Sequence, residues 1–275
     1  MTAILFMKWT GLIVATFAVL SGSASAADDA KPACDVPAYL LAAESRLTKV
    51  EDAIKVRGKL DVLVIGSRSS SLAAATGTPL NNALPNNPSS VSGPPDAAYP
   101  SRLQIFLRDK LPSLPITVTV DVQPKKTSEE MVAELPKIVA AKKPDLVIWQ
   151  TGTVDAMRAI DPDEFRNAVD EGVAAMKAAG TDVILMNLQY SPRTETMITT
   201  APYIDNMRVV AQQHDVPLFD RFAIMREWSE SGDFDLFSPS PGVDLAKRVH
   251  ECLARALSTF VIDAARVNPA ELKPQ

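Results

Sequence analysis

The chain has 275 residues, enough for one large domain or two small ones. Hydrophobic residues make up 47% and charged residues 22%, which gives a globular balance with apolar mass for a sizeable core. A formal net charge of −5 without basic runs excludes the electrostatic footprint of a nucleic-acid-binding protein.

Residues 1–26 read as a targeting signal. Lys8 supplies a weak positive start, Gly11–Leu20 a short apolar core, and Ala24-Ser25-Ala26 a small-residue cleavage site. The apolar run is short for a bilayer span; an uncleaved N-terminal anchor is the alternative. No cysteine follows closely, which argues against lipoprotein processing. The expected mature chain starts near Ala27, has no transmembrane domain, and is periplasmic or secreted. Cys34 and Cys252 are the only cysteines. An oxidising compartment favours a bridge between them over two separate buried residues. Such a bridge would close a long loop and stabilise by roughly 2–4 kcal/mol.

Residues 37–56 predict a helix, with Leu40, Leu41, Leu47, Val50 and Ile54 at helical spacing. The apolar strand Val62–Ile65 follows and runs into Gly66-Ser67-Arg68-Ser69-Ser70-Ser71. Residues 72–96, rich in Ala, Asn, Pro, Ser and Gly, form a long loop insert, a length that is usually either functional or disordered. A helix over Tyr99–Leu111 carries Pro100 in its first turn, where the missing N–H costs nothing. Ile116–Val122 alternates with threonine and is expected near a sheet edge. Ser128–Ala141 predicts a helix capped by Thr127, with Glu130 completing a capping box. The strand Leu146–Trp149 comes next, then a helix from Asp161 to Gly180 and the strand Val183–Met186. A helix over Pro202–His214, the strand Val216–Phe219 and helices over Phe222–Glu230 and Asp244–Ile262 complete the series. Residues 266–275 read as a flexible tail.

Strands that are apolar throughout are buried on both faces, which means a parallel sheet covered by helices. The alternation predicts an α/β fold: a three-layer α/β/α sandwich on a five-stranded parallel sheet, forming a single domain over 27–265. Ligands bind such sheets at the carboxyl ends of the strands. Here those loops begin at Gly66, Asp121, Gln150, Asn187 and Asp220.

Four segments in order carry a resemblance. They are the strand ending Ile65-Gly66-Ser67, the helix start Ala98-Tyr99-Pro100-Ser101-Arg102-Leu103, the segment Lys143–Thr153 (KPDLVIWQTGT), and a Ser-Pro turn before the last helix. Together they resemble the SGNH/GDSL hydrolases, particularly exported bacterial members, across most of residues 58–262. The resemblance implies a flavodoxin-like sandwich and an esterase ancestry. It also exposes departures at the stations that do chemistry. Arg68 occupies the nucleophile's place, and arginine is a fixed cation with five donors; a one-residue slip offers Ser67 or Ser69 instead. The second block has Gln123-Pro124 where the family carries an oxyanion-binding glycine, and proline has no N–H to give. Val154 replaces an asparagine donor, a loss worth ~10²–10³ in rate. Pro241 and Asp244 stand where the family has its aspartate and histidine, and a carboxylate with a pKa of ~4 is a poor base for a serine hydroxyl.

These replacements imply a catalytically degenerate binding or accessory protein of the cell envelope. Its ligand would be a small anion or a glycan, its partner an envelope protein. Arg68, Lys125 and Lys126 are the candidate anion-binding residues. In the alternative, Arg68 pairs with Asp155 or Asp244 across the empty cleft. The competing class is an atypical serine esterase or acyltransferase on glycan or lipid esters, using Ser67 or Ser69; a third is a structural partner that uses the 72–96 insert. His214 and His250 read as structural or surface residues, and Trp149 and Trp228 as core. The pattern implies no metal site and no cofactor.

Overall fold

The computed structural model describes residues 34–67, 70, 98–237 and 243–272. The signal reading, the 72–96 insert, Arg68, Ser69 and Pro241 lie outside the described residues. Elements follow in chain order as α1 (Ala38–Leu41), α2 (Thr48–Asp52), a π turn (Ala53–Arg57), β1 (Leu60–Gly66), α3 (Tyr99–Lys110), β2 (Ile116–Val122), α4 (Ser128–Val132), α5 (Leu135–Lys142) and β3 (Leu146–Gln150). The second half runs α6 (Thr153–Met157), α7 (Pro162–Ala178), β4 (Asp182–Met186), α8 (Pro192–Met197), α9 (Ala201–His214), β5 (Leu218–Phe219), α10 (Arg221–Glu230), α11 (Val243–Ala264) and a 3₁₀ turn (Pro269–Leu272).

All five strands are parallel, in the order β2-β1-β3-β4-β5. The threonine-alternating strand is an edge, as its pattern of half-exposed positions requires. The central strands β1 and β3 are buried along almost their whole length. Aromatic side chains fix the two faces. The Trp149 ring fills the space that a Cβ on Gly172 of α7 would need. Phe219 meets Phe260 of α11 edge-on, at 5.4 Å between ring centroids. Trp228 is fully buried and donates its indole N–H to the Asp35 carbonyl. Cys34 and Cys252 form a disulfide with Cα atoms 5.1 Å apart.

The structure corrects several boundaries. Residues 37–56 are not one helix. The Ala43 N–H donates to the Asp263 carboxylate and the Leu47 N–H to the Ala264 carbonyl, so the end of α11 takes donors that a continuous helix would use internally. Residues 128–141 form two helices rather than one, because the Pro136 ring is incompatible with a helical carbonyl at Val132. The Thr127/Glu130 capping box is present. The last strand is only two residues long. Beyond α11 the chain continues through a 3₁₀ turn to Leu272, which packs on the core, and Arg266 donates to the Ala43 carbonyl.

Candidate functional site

β1 delivers Ser67 and Ser70 to the carboxyl end of the sheet, and both are buried. The Ser70 N–H donates to the Ser67 carbonyl, closing a tight turn. That turn brings the Ser70 side chain back over Gly66. A Cβ on Gly66 would force Ser70 Oγ to shift and would come within 3.1 Å of Gln150 Cβ, which favours glycine here. Gln150, the last residue of β3, is 1% exposed. Its Nε2 donates to Ser67 Oγ at 3.1 Å, and its Oε1 accepts from Ser70 Oγ at 2.7 Å and from the Tyr99 hydroxyl at 3.4 Å. Ser70 Oγ also lies 3.3 Å from the Tyr99 hydroxyl. One amide therefore holds three hydroxyls at the place where this sheet type positions its chemistry.

Tyr99 links this knot to the last helix. Its backbone N–H, at the start of α3, donates to His250 Nδ1 at 3.0 Å. The two rings lie 5.9 Å apart, tilted by 32°. An accepting Nδ1 places the proton of the neutral imidazole on Nε2, leaving no lone pair for a serine proton. Burial, aided by the nearby Arg221 charge, holds the His250 pKa down to about 4. Burial pushes the Tyr99 phenol up, against the Ser70 hydrogen bond and the Arg221 charge. Arg221, the first residue of α10, is 1% exposed, and burial lowers its pKa to about 10.

The other strand ends also carry hydrogen-bonded ties. Asn187, after β4, donates to Asp220 Oδ1 at 2.7 Å and accepts the Phe222 N–H at 2.9 Å. Asp220 in turn caps α10 through the Ala223 N–H. Gln123, after β2, donates its backbone N–H to the Gly66 carbonyl and its side-chain amide to Asp121. Lys125, in a left-handed conformation, is exposed and Lys126 half-exposed in the turn before α4.

Arg68, the expected partner of Asp155 or Asp244, lies outside the described residues, but both carboxylates are described. Asp155 is fully buried, and its Oδ1 accepts both the N–H and the hydroxyl of Ser128 at 2.8 Å, tying α6 to α4. Its pKa is raised by burial against those two bonds. Among the described residues its Oδ1 is met by Ser128. Asp244 has a side chain 95% exposed, 3.6 Å from Lys247 one turn on, so it is a surface residue of α11. Val154 is half-buried in α6, after Gly152 with φ 93°. His214 pairs with Asp170 at 2.7 Å, away from this cluster in the last turn of α9.

Sequence reasoning missed Gln150, Ser70, Tyr99 and Arg221 as a connected group. The one available signal was Gln150 itself, an amide ending an otherwise apolar strand. Among the described residues, no cluster of His, Cys, Asp or Glu fits a metal ion, and no helix is long and apolar enough to cross a membrane.

Several solved structures share this architecture. TesA is 20% identical with a TM-score of 0.51, covering 72% of this chain and 99% of its own. The acetylxylan esterase Axe2 from Geobacillus stearothermophilus is 20% identical with a TM-score of 0.58, covering 74% of this chain and 94% of its own. A two-domain esterase active on acetylated mannans is 14% identical with a TM-score of 0.59, covering 86% of this chain and 59% of its own. At these identities the likeness shows the fold alone. No curated protein matches the chain. Residues 33–267 match the family model of the non-GDSL lipase-like family, so the chain belongs to that family, on the SGNH/GDSL hydrolase fold that its sheet and strand-end turn display.

Proposed function

We propose that this chain is a non-hydrolytic member of its family, a binding or accessory protein of the cell envelope, exported by residues 1–26. One observation carries the reading: the buried Ser70 hydroxyl donates its proton to the Gln150 amide oxygen, a group that cannot take it up. Two further features support it. The His250 lone pair at Nδ1 is spent on Tyr99, and Asp244 is a solvated surface carboxylate. Small anionic or glycan ligands remain the proposed class, with Lys125 and Lys126 supplying positive charge in the turn before α4.

The second reading is an atypical serine esterase or acyltransferase. The similar solved structures, acetylxylan and acetylated-mannan esterases among them, favour it. Assay of the purified protein with a short-chain nitrophenyl ester, alongside fluorophosphonate labelling and peptide mapping, decides between the two. The non-hydrolytic reading expects neither turnover nor label from a sample folded by circular dichroism. Labelling at Ser67 or Ser69, with turnover lost on replacement of that serine by alanine, establishes the esterase. Cell fractionation tests export separately: periplasmic or secreted protein beginning near Ala27 is expected, and a cytoplasmic chain retaining Met1 defeats it.

A further inference from the structure

The two edges of the sheet are finished differently. Along a parallel strand, successive residues aim their N–H and C=O groups alternately at one neighbour and at the other side. On β2, the Pro115 carbonyl accepts the Leu60 N–H of β1, so Ile116 and Val118 face outward. Side chains of α3 meet them. Arg108 donates to the Ile116 carbonyl through Nε at 3.0 Å and Nη2 at 2.6 Å, and Gln104 Oε1 accepts the Val118 N–H at 2.8 Å. Those two groups are closed to another strand. On β5, the Pro217 and Phe219 carbonyls accept the N–H groups of Leu185 and Asn187 on the β4 side, so the N–H and carbonyl of Leu218 face outward. Among the described residues nothing meets either of them. This open edge borders a groove of about 240 Å³, walled by Tyr39 and Glu44 on one side and by Arg208 and Gln212 of α9 on the other.

We propose that this edge docks an extended, basic peptide segment of a partner protein, which lies beside β5 and exchanges hydrogen bonds with both the N–H and the carbonyl of Leu218. Charge selects a basic segment. Arg208 is already engaged by Asp205 at 3.0 Å and Asp220 at 2.9 Å, and Glu44 adds a third carboxylate, so the groove favours a cationic guest. Tyr39, 72% exposed on the rim, offers its ring to a lysine or arginine of that guest. The volume suits a strand rather than a helix, one turn of which, ~10 Å across and ~5.4 Å long, fills about 400 Å³. The site gives a chemical class to the envelope-protein partner of the accessory role proposed above. It rests on that reading for its use, not for its geometry.

Fluorescence anisotropy of a labelled, C-terminally amidated Val-Lys-Val-Lys-Val peptide, titrated with the purified protein, tests it. The controls are the same peptide N-methylated at its central valine and its Val-Glu-Val-Glu-Val counterpart. Saturable binding of one peptide per chain is expected, with both controls roughly tenfold weaker. Leu218→Pro removes the outward N–H and leaves the β4 side of the strand untouched, since proline is tolerated where an edge N–H faces outward. It should cost roughly tenfold in affinity with an unchanged circular dichroism spectrum. Glu44→Lys, at an exposed position, should also weaken binding and carries the test if the proline variant does not fold. Absent saturation, controls that bind equally well, or binding unchanged in the folded variants overturns the site. Concentration-dependent dimerisation that Leu218→Pro abolishes also overturns it, by assigning the edge to a second copy of this chain. Fluorophosphonate labelling of the same sample separates the two claims. Labelling removes the non-hydrolytic reading whatever the peptide does, and a missing peptide response removes the docking edge whatever the label does.

Discussion

The Tyr99 backbone N–H donates to Nδ1 of His250 across 3.0 Å, joining the first turn of α3 to the middle of α11. Protonating that nitrogen destroys the bond and places a second cation near Arg221. The folded pKa is about 4, below the ordinary 6.5, so between these values the unfolded chain binds a proton that the folded chain refuses. His250 therefore leaves stability untouched above pH 6.5, and stability is lost as pH falls towards 4, by on the order of 3 kcal/mol. His250→Asn retains an acceptor without a titrating group. Urea unfolding from pH 7 to pH 4 should show a steeper loss for the wild type than for this variant. Parallel curves would refute the assignment. The comparison cancels the raised carboxyls Asp155 and Asp182, which act with the opposite sign.

Gln150 holds the polar knot together. Gln150→Leu keeps the bulk but strips Ser67, Ser70 and Tyr99 of their shared partner, with an expected cost of about 1–3 kcal/mol in chemical denaturation. Gly66→Ala should cost a similar amount, about 1–3 kcal/mol, by driving a methyl into the same space. A neutral result for both would mean that the knot contributes nothing to stability.

At Asp155 and Ser128 the two halves of one contact should differ. Asp155→Asn keeps the Oδ1 acceptor and removes a buried charge, so its stability should stay within about 1 kcal/mol of wild type. Ser128→Ala removes a hydroxyl that the carboxylate needs, and should cost about 1–3 kcal/mol. Urea midpoints for the two proteins in the reverse order would contradict this geometry.

Reduction of the Cys34–Cys252 bridge should lower stability by about 2–5 kcal/mol. Cys34→Ser/Cys252→Ser should unfold at a lower urea concentration than the oxidised protein and become insensitive to reductant. Equal midpoints with and without reductant would show that the bridge is energetically idle.

The sheet was legible because continuous apolar runs such as Leu146–Trp149 have no other home than the centre of a parallel sheet. Caps were legible wherever they are local, as with Thr127 and Glu130. Breaks caused by distant partners were not. Nothing near Ala43 announces that Asp263 will take its N–H. The five-residue α6 is too short to print a periodicity. The site was the least legible part. A glutamine at a strand end and an arginine at a helix start both read as solvated residues, and only the packing of α3 and α11 over them makes them interior groups.

The disulfide also decides where a mechanical load would travel. With Cys34 and Cys252 joined across a sequence separation of 218, the chain between them is a covalent ring. Tension applied at the two ends of the chain passes from one side of that ring to the other through the sulfur atoms. All five strands lie inside it and are bypassed, and the force falls instead on the second half of α11 and the 3₁₀ turn beyond it. Pulled from its ends, the oxidised protein would give way by peeling that helix, with its sheet still shielded.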